Sequence, residues 1–198
     1  MQFIAAHEGV VLDKNRDAVF ETMMRDSYKP AYTLAYRLTG NAAEAEDLVQ
    51  DSFIRAYRFF ARYDDRLPFS SWLYRIMTNA HIDMVRRKGR IRTTSLEASG
   101  TDGTTTWDVP DHEASPDRNM LLNSLDEPVQ KALTSMTAEF RTAVLLADVE
   151  GLAYEEVAEI MRTSVGTVRS RIHRGRKQIR TYLLKNSPQT YRSFCDEL

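Results

Sequence analysis

The 198 residues are 42% hydrophobic and 28% charged, with eight Gly, six Pro and one Cys, a balance that excludes collagenous, disordered and disulfide-stapled classes. Net charge is only −1, but residues 72–92 hold six basic groups and one acidic, 93–160 hold three basic and fourteen acidic, and 161–198 hold nine basic and two acidic. No apolar run approaches the ~20 residues of a membrane span, and MQFIAAHEGVVLDKNRD lacks the basic start and apolar core of a secretory leader, so a cytoplasmic chain without membrane insertion is expected.

In chain order, the first signal is Ala31, Leu34, Ala35 and Leu38, the one-sided spacing of a buried helix face beginning near Asp26. Gly40 suits a helix C-terminus that needs positive φ. Asn41 followed by Glu44 reads as a capping box opening a second helix. There Val49, Ser52, Phe53, Ala56, Tyr57 and Phe60 make an apolar and aromatic stripe, leaving Asp47, Gln50, Asp51, Arg55 and Arg58 outside. RYDDRLP, residues 62–68, breaks the pattern and predicts a loop. A third helix from about Ser70 to Arg87 is expected to bury Trp72, Leu73, Ile76, Ala80 and Met84, and to expose Arg75, Asn79, Asp83, Arg86 and Arg87.

Residues 93–118 then lose periodicity and become rich in Thr, Ser, Gly, Asp and Pro, with Trp107 the one large anchor. A structureless stretch of that length argues against one compact domain. Further helices are expected at about 126–135, 138–149, 154–161 and 165–184. The implied architecture is all-α: two small helical domains joined by a flexible acidic linker, the second containing a helix-turn-helix. The boundaries read as an N-terminal extension over 1–25, a first domain over 26–92, a linker over 93–125, a second domain over 126–185 and a tail over 186–198.

The helix-turn-helix lies in AYEEVAEIMRTSVGTVRSRIHRGRKQIR, residues 153–180. A short helix buries Val157, Ala158 and Met161, a turn follows at Arg162 and Thr163, and Ser164 is a good N-cap for the next helix. That helix buries Val165, Val168, Ile172 and Ile179 and projects Thr167, Arg169, Ser170, Arg171, His173, Arg174, Arg176 and Lys177. From Met161 to Lys185 there is no acidic residue. Such a helix fits the DNA major groove, its first residues toward base edges and its later cations toward phosphates.

These residues resemble a known family. LADVEGLAYEEVAEIMRTSVGTVRSRIHRGRKQIR (146–180) is similar to the promoter-reading C-terminal domain of extracytoplasmic-function sigma factors of bacterial RNA polymerase. YRLTGNAAEAEDLVQDSFIRAYRFF (36–60) and FSSWLYRIMTNAHIDMVRRKGR (69–90) resemble their N-terminal domain, in the family's order and separation. The resemblance implies that 26–92 is sigma region 2 and 126–185 is sigma region 4. It implies core-polymerase contacts from Asp47, Gln50, Asp51 and Arg55. It implies −10 element contacts from Tyr63, Asp64, Arg75, Asn79, Asp83, Arg86 and Arg87, the 63–68 loop cradling a flipped base. For the −35 element it implies Thr167, Arg169, Ser170, Arg171, His173, Arg174 and Lys177. Core RNA polymerase, promoter DNA and an anti-sigma factor are the implied partners, and a stress response the implied setting. Ala153 and Arg162 depart from the family at a helix cap and in the turn, where Ser or Thr and Gly are usual.

No catalytic chemistry is legible. His7, His81, His112 and His173 lack metal-ligand spacing, no phosphate-binding Gly loop or HExxH occurs, and no cofactor or metal is expected. Cys195 reads as an incidental thiol in a polar tail. Two other readings stay open at this point. A self-sufficient repressor or activator would be a dimer on a palindromic site, and a nucleic-acid enzyme would need clustered carboxylates, a metal or a nucleophile.

Overall fold

The structure, a computed structural model, describes residues 14–98, 125–189 and 191, in which every regular element is helical. α1 spans Lys14–Thr39. Ala31, Leu34, Ala35 and Leu38 are fully buried, as their spacing requires. Pro30 lies on the exposed side, so losing its backbone bond leaves the helix continuous. Residues 14–25, expected in an N-terminal extension, form the first turns of α1. They are held by Phe20, packed edge-on against Tyr57 and Phe60 at 5.2 and 5.0 Å.

Gly40 takes φ +71 and closes α1 with a 2.7 Å bond to the Tyr36 carbonyl. α2 runs Ala42–Phe59, and Asn41 accepts the Glu44 N–H at 3.0 Å. Only half of the expected capping box forms, because the Glu44 carboxylate turns to Lys88 Nζ at 2.7 Å. Val49, Ser52, Phe53 and Ala56 are buried. Tyr57 is instead 41% exposed, its hydroxyl donating to Asp17 at 2.8 Å. A 3-10 turn at Phe60–Arg62 leads to a loop, and α3 then spans Phe69–Ala98. α3 does not stop near Arg87, so the expected linker begins later than residue 93. The segment after Arg87 has no proline and a single glycine, so nothing local ends the helix. The buried face of α3 is Leu73, Tyr74, Met77, Ala80 and His81, while Trp72, Ile76 and Met84 are only half-buried.

The second half contains α4 (Glu127–Thr134), α5 (Ala138–Val144, widening into a π-turn at Leu145–Val149), α6 (Tyr154–Met161) and α7 (Val165–Asn186). α7 seats on α5 at Gly175, where a Cβ would stand 2.5 Å from Val144 Cγ2 and 3.0 Å from Met136 Cε. Only the absence of a side chain allows that approach. The expectations for Trp107, Cys195, His7 and His112 fall outside the described residues.

The two halves pack on each other, and their buried side chains form one cluster. The second half caps the C-terminus of α1. Gln130 Nε2 donates to the carbonyls of Tyr36 and Arg37 at 3.4 and 3.3 Å, and buried Arg141 donates to that of Leu38. Carbonyls left unpaired at a helix end carry partial negative charge, so an amide and a guanidinium are well matched to them. Arg141 also donates to Thr134 and Met136 carbonyls at 2.7 and 3.0 Å, fixing the α4–α5 turn. Glu150 adds a second tie, accepting from Arg37 at 3.3 Å and from the Tyr74 hydroxyl at 3.0 Å. Burial, then the Glu150 charge, pushes the Tyr74 hydroxyl well above the usual phenol range. No helix among the described residues is long and apolar enough to cross a membrane.

Candidate nucleic-acid and polymerase interfaces

α6, the turn and α7 form the expected helix-turn-helix. Val157, Ala158 and Met161 bury the short helix, and Val168 and Ile172 the long one. Ala153 has no side-chain acceptor for an N-cap, but the Glu156 carboxylate reaches back to its N–H at 2.9 Å, recovering part of the capping. Ser164 caps α7 by accepting from Thr167 N–H at 3.1 Å, and the two hydroxyls bond at 2.9 Å. Thr167 thus serves the cap as well as the surface. Beyond it, Arg169, Ser170, His173, Arg174 and Lys177 are exposed and Arg171 half-buried. Arg176, which shares that helix, is held in a bidentate pair by Asp148 at 2.9 and 2.6 Å. Asp148 hydrogen bonding holds the Arg176 guanidinium above its ordinary range.

On α2, Asp47 and Gln50 are exposed and Asp51 and Arg55 half-exposed, all four on the side away from the Val49–Ala56 core. Asp51 and Arg55 pair with each other at 2.8 Å. Ile54 and Phe59, 53% and 47% exposed, add apolar area to this face, a mixture that suits a partner protein better than water.

The 63–68 loop is internally pinned. The Tyr63 hydroxyl donates to the Leu67 carbonyl at 2.6 Å, and its ring stacks on Phe60 at 5.8 Å and leans on Trp72 at 5.2 Å. Asp64 is gripped by Arg66 through Nε and Nη2 at 2.8 and 2.7 Å, which lowers its pKa. On α3, Arg75, Asp83, Arg86 and Arg87 are exposed and Asn79 half-buried, its amide donating to the Arg75 carbonyl at 2.6 Å. This face lies toward the second half: α6 packs against α3, and Arg86 reaches Glu139 at 3.4 Å.

Residues 23–91 match the profile of Sigma-70 region 2 and residues 126–179 that of Sigma-70, region 4. The chain is 45% identical to the ECF RNA polymerase sigma factor SigE of Mycolicibacterium smegmatis over 88% of its own length and 65% of that protein's. It is 38% identical to the ECF RNA polymerase sigma factor SigW of Bacillus subtilis, over 80% of this chain and 86% of that one. The chain belongs to the extracytoplasmic-function sigma factors. Its fold is similar to that of the Bartonella quintana sigma factor RpoE solved in complex with the anti-sigma factor NepR, with a TM-score of 0.61 and 26% identity over 87% of this chain and 99% of that one.

Several residues that organise this sigma factor escape sequence reasoning. Arg141 and His81 are both buried at the junction, Arg141 donating to the Leu38 carbonyl. Burial, reinforced by the Arg141 cation, holds the His81 imidazole down to about 4. Arg141 left a faint signal, a cation embedded in the apolar run AEFRTAVLL. Among the described residues there is no group of His, Cys, Asp or Glu side chains arranged to hold a metal ion.

Proposed function

We propose that this sigma factor binds core RNA polymerase through the outer face of α2 (Asp47, Gln50, Asp51 and Arg55) and carries its two basic helices to separate promoter elements. α7 reads the −35 element through Arg169, Ser170, Arg171, His173, Arg174 and Lys177, with Thr167 at the helix start. α3 and the loop before it read and open the −10 element through Asn79 and Asp83, flanked by Tyr63, Asp64, Arg75, Arg86 and Arg87. Asn presents both donor and acceptor to a base edge, and the arginines neutralise phosphate. The chain supplies recognition, the polymerase supplies catalysis, and both act in the cytoplasm. The observation that carries this reading is the pairing on one chain of a capped, acid-free reading helix with a region 2 helix pair exposing carboxylates beside apolar area.

In vitro transcription with core polymerase and a random promoter library tests it. Two conserved-spacing elements should emerge among the transcribed templates. Arg169→Ala should relax the upstream one and Asn79→Ala the downstream one, each by about 1–3 kcal/mol of discrimination. Start-site choice indifferent to both substitutions would remove the mechanism. We also infer regulation by an anti-sigma factor, supported by the fold shared with a sigma factor solved bound to one. Affinity capture of the full chain from its native cells should return a small inhibitor as well as polymerase, and polymerase alone would count against it.

A further inference from the structure

Against α2 and α3, beside the turn that follows α6, lies an open cleft of about 340 Å³. Four guanidinium groups line it: Arg55 from α2, Arg62 from the 3-10 turn, Arg75 from α3, and Arg162 from the turn between α6 and α7. Arg55 is neutralised by Asp51 and Arg62 lies over the Phe59 ring at 5.4 Å. Arg75 and Arg162 have no ionic partner among the described residues. Like charges brought into one concavity repel and focus a positive potential there, a cost recovered when an anion enters.

Arg162 is the informative member. It is the sole non-glycine residue with positive φ among those described, at 50°, in a turn where glycine would sit without strain. A side chain is thus kept at a strained position, and that side chain is the second half's cation in the cleft. The remaining lining is of a different chemistry. Phe59 and Trp72 present aromatic surface, and the Asn79 amide, bonded through its nitrogen to the Arg75 carbonyl, keeps its oxygen as an acceptor. Guanidinium groups matched to phosphate, with aromatic faces and one amide oxygen, are the set that recognises a nucleotide. The volume is within the small-molecule range, suiting a single nucleotide rather than a strand.

We propose that this cleft binds a nucleoside di- or triphosphate, the phosphates between Arg75 and Arg162 and the base against the aromatic floor. Because Arg162 is the second half's contribution to a cleft otherwise built from α2, the 3-10 turn and α3, a nucleotide held between Arg75 and Arg162 ties the halves together and covers Asn79 and Arg75. Nucleotide level then sets how readily the sigma factor opens onto promoter DNA.

The test is a fluorescence-anisotropy titration of the full chain with methylanthraniloyl-GTP, in competition with unlabelled GTP, ATP, inorganic pyrophosphate and a five-nucleotide single-stranded DNA. The expected result is saturable binding reversed by a nucleotide, with pyrophosphate at least about tenfold poorer because it lacks the ring. Arg162→Gly, which relieves the strained turn while removing the guanidinium, should bind roughly tenfold more weakly without a fall in melting temperature. Three outcomes overturn the proposal: no saturable binding at millimolar nucleotide, equal binding by Arg162→Gly, or a stronger response to the DNA pentamer that ignores Arg162. No polymerase or promoter enters this experiment, so its failure leaves the promoter reading to be judged by transcription alone.

Discussion

α3 and α7 are both long, basic, amphipathic helices, yet the fold holds their cations differently. On α7, Arg169, Arg174 and Lys177 stand exposed with no ionic partner among the described residues, while Arg176 is engaged by Asp148. On α3, Arg86 pairs with Glu139 and Lys88 with Glu44, Arg75 and Arg87 stay exposed, and Asn79 bonds its own helix in a cleft to which the other half contributes Arg162. On the proposed assignment, the α7 surface is presented ready for a duplex. The α3 surface is part paired and part exposed, with Asn79 half-buried beside Arg162 of the other half. Duplex DNA offers its major groove without distortion, whereas a base must leave the stack before a pocket can read it. On the proposed assignment, the α3 surface meets its base only after that step.

The junction between the halves is where the largest effects are expected. Arg141→Met should have the largest effect, because it strips donors from the carbonyls of Leu38, Thr134 and Met136 in a buried site. A loss of about 3 kcal/mol is expected, read as a lower urea midpoint, with α3 becoming accessible to proteases while α7 stays folded. The His81 imidazole gives a pH dependence of similar size. Its pKa is held down from 6.5 to about 4, so the unfolded chain takes up a proton that the native ring refuses. Stability is therefore full above about pH 6.5 and falls as pH drops toward about 4, by ~3 kcal/mol at most. A stability profile flat between pH 7 and 5 would contradict the buried neutral ring. In Arg141→Met the slope should soften, since the cation opposing protonation is gone.

Gly175→Ala tests the other side of the comparison, the seating of α7. The added methyl meets Val144 at 2.5 Å and Met136 at 3.0 Å. Overpacking of ~1–3 kcal/mol outweighs the ~1 kcal/mol gained in helix propensity, so a melting temperature a few degrees lower is expected. Weaker −35 binding should accompany it, with −10 opening by the remaining complex unchanged. A higher melting temperature would show that α5 yields without strain.

The helices were legible because their signals are local. Ala31, Leu34, Ala35 and Leu38 repeat at helical spacing, Gly40 and Asn41 mark a stop and a start, and Ser164 caps α7, all as the spacing predicts. The exposed positions of the reading helix follow from the same periodicity. The junction was illegible because its partners are far apart in the chain: Gln130 with Tyr36 and Arg37, Glu150 with Tyr74, Arg141 with Leu38. Periodicity within one helix says nothing of which carbonyl an arginine in another will find. Tyr57 and Trp72 misled for a related reason. Helical phase alone assigns them to a core, but amphipathic rings at the rim can stay half in water while packing edge-on. The reach of α1 before Asp26 is carried by Phe20, Met23 and Met24 at helical spacing, of which only Phe20 is buried.

The smallest expected effect sharpens the account of α7. Arg176 shares the helix of the exposed cations but its fork is occupied by Asp148, so it is counted out of the phosphate contacts. The pair is substantially exposed, so its loss should move stability by no more than ~1 kcal/mol. Asp148→Asn removes the charge that holds the guanidinium and leaves the backbone undisturbed. Freed, Arg176 can reach a phosphate, and each added phosphate contact steepens the salt dependence of duplex binding by about 0.9 in the log–log slope. Affinity measured for the isolated full chain on −35 duplex at two or three salt concentrations should therefore rise most at low salt. The gain should be equal on scrambled duplex, since phosphate carries no sequence. A gain confined to the −35 sequence would instead place Arg176 at a base edge, and α7 would then enter the groove more deeply than its capped N-terminal turn implies.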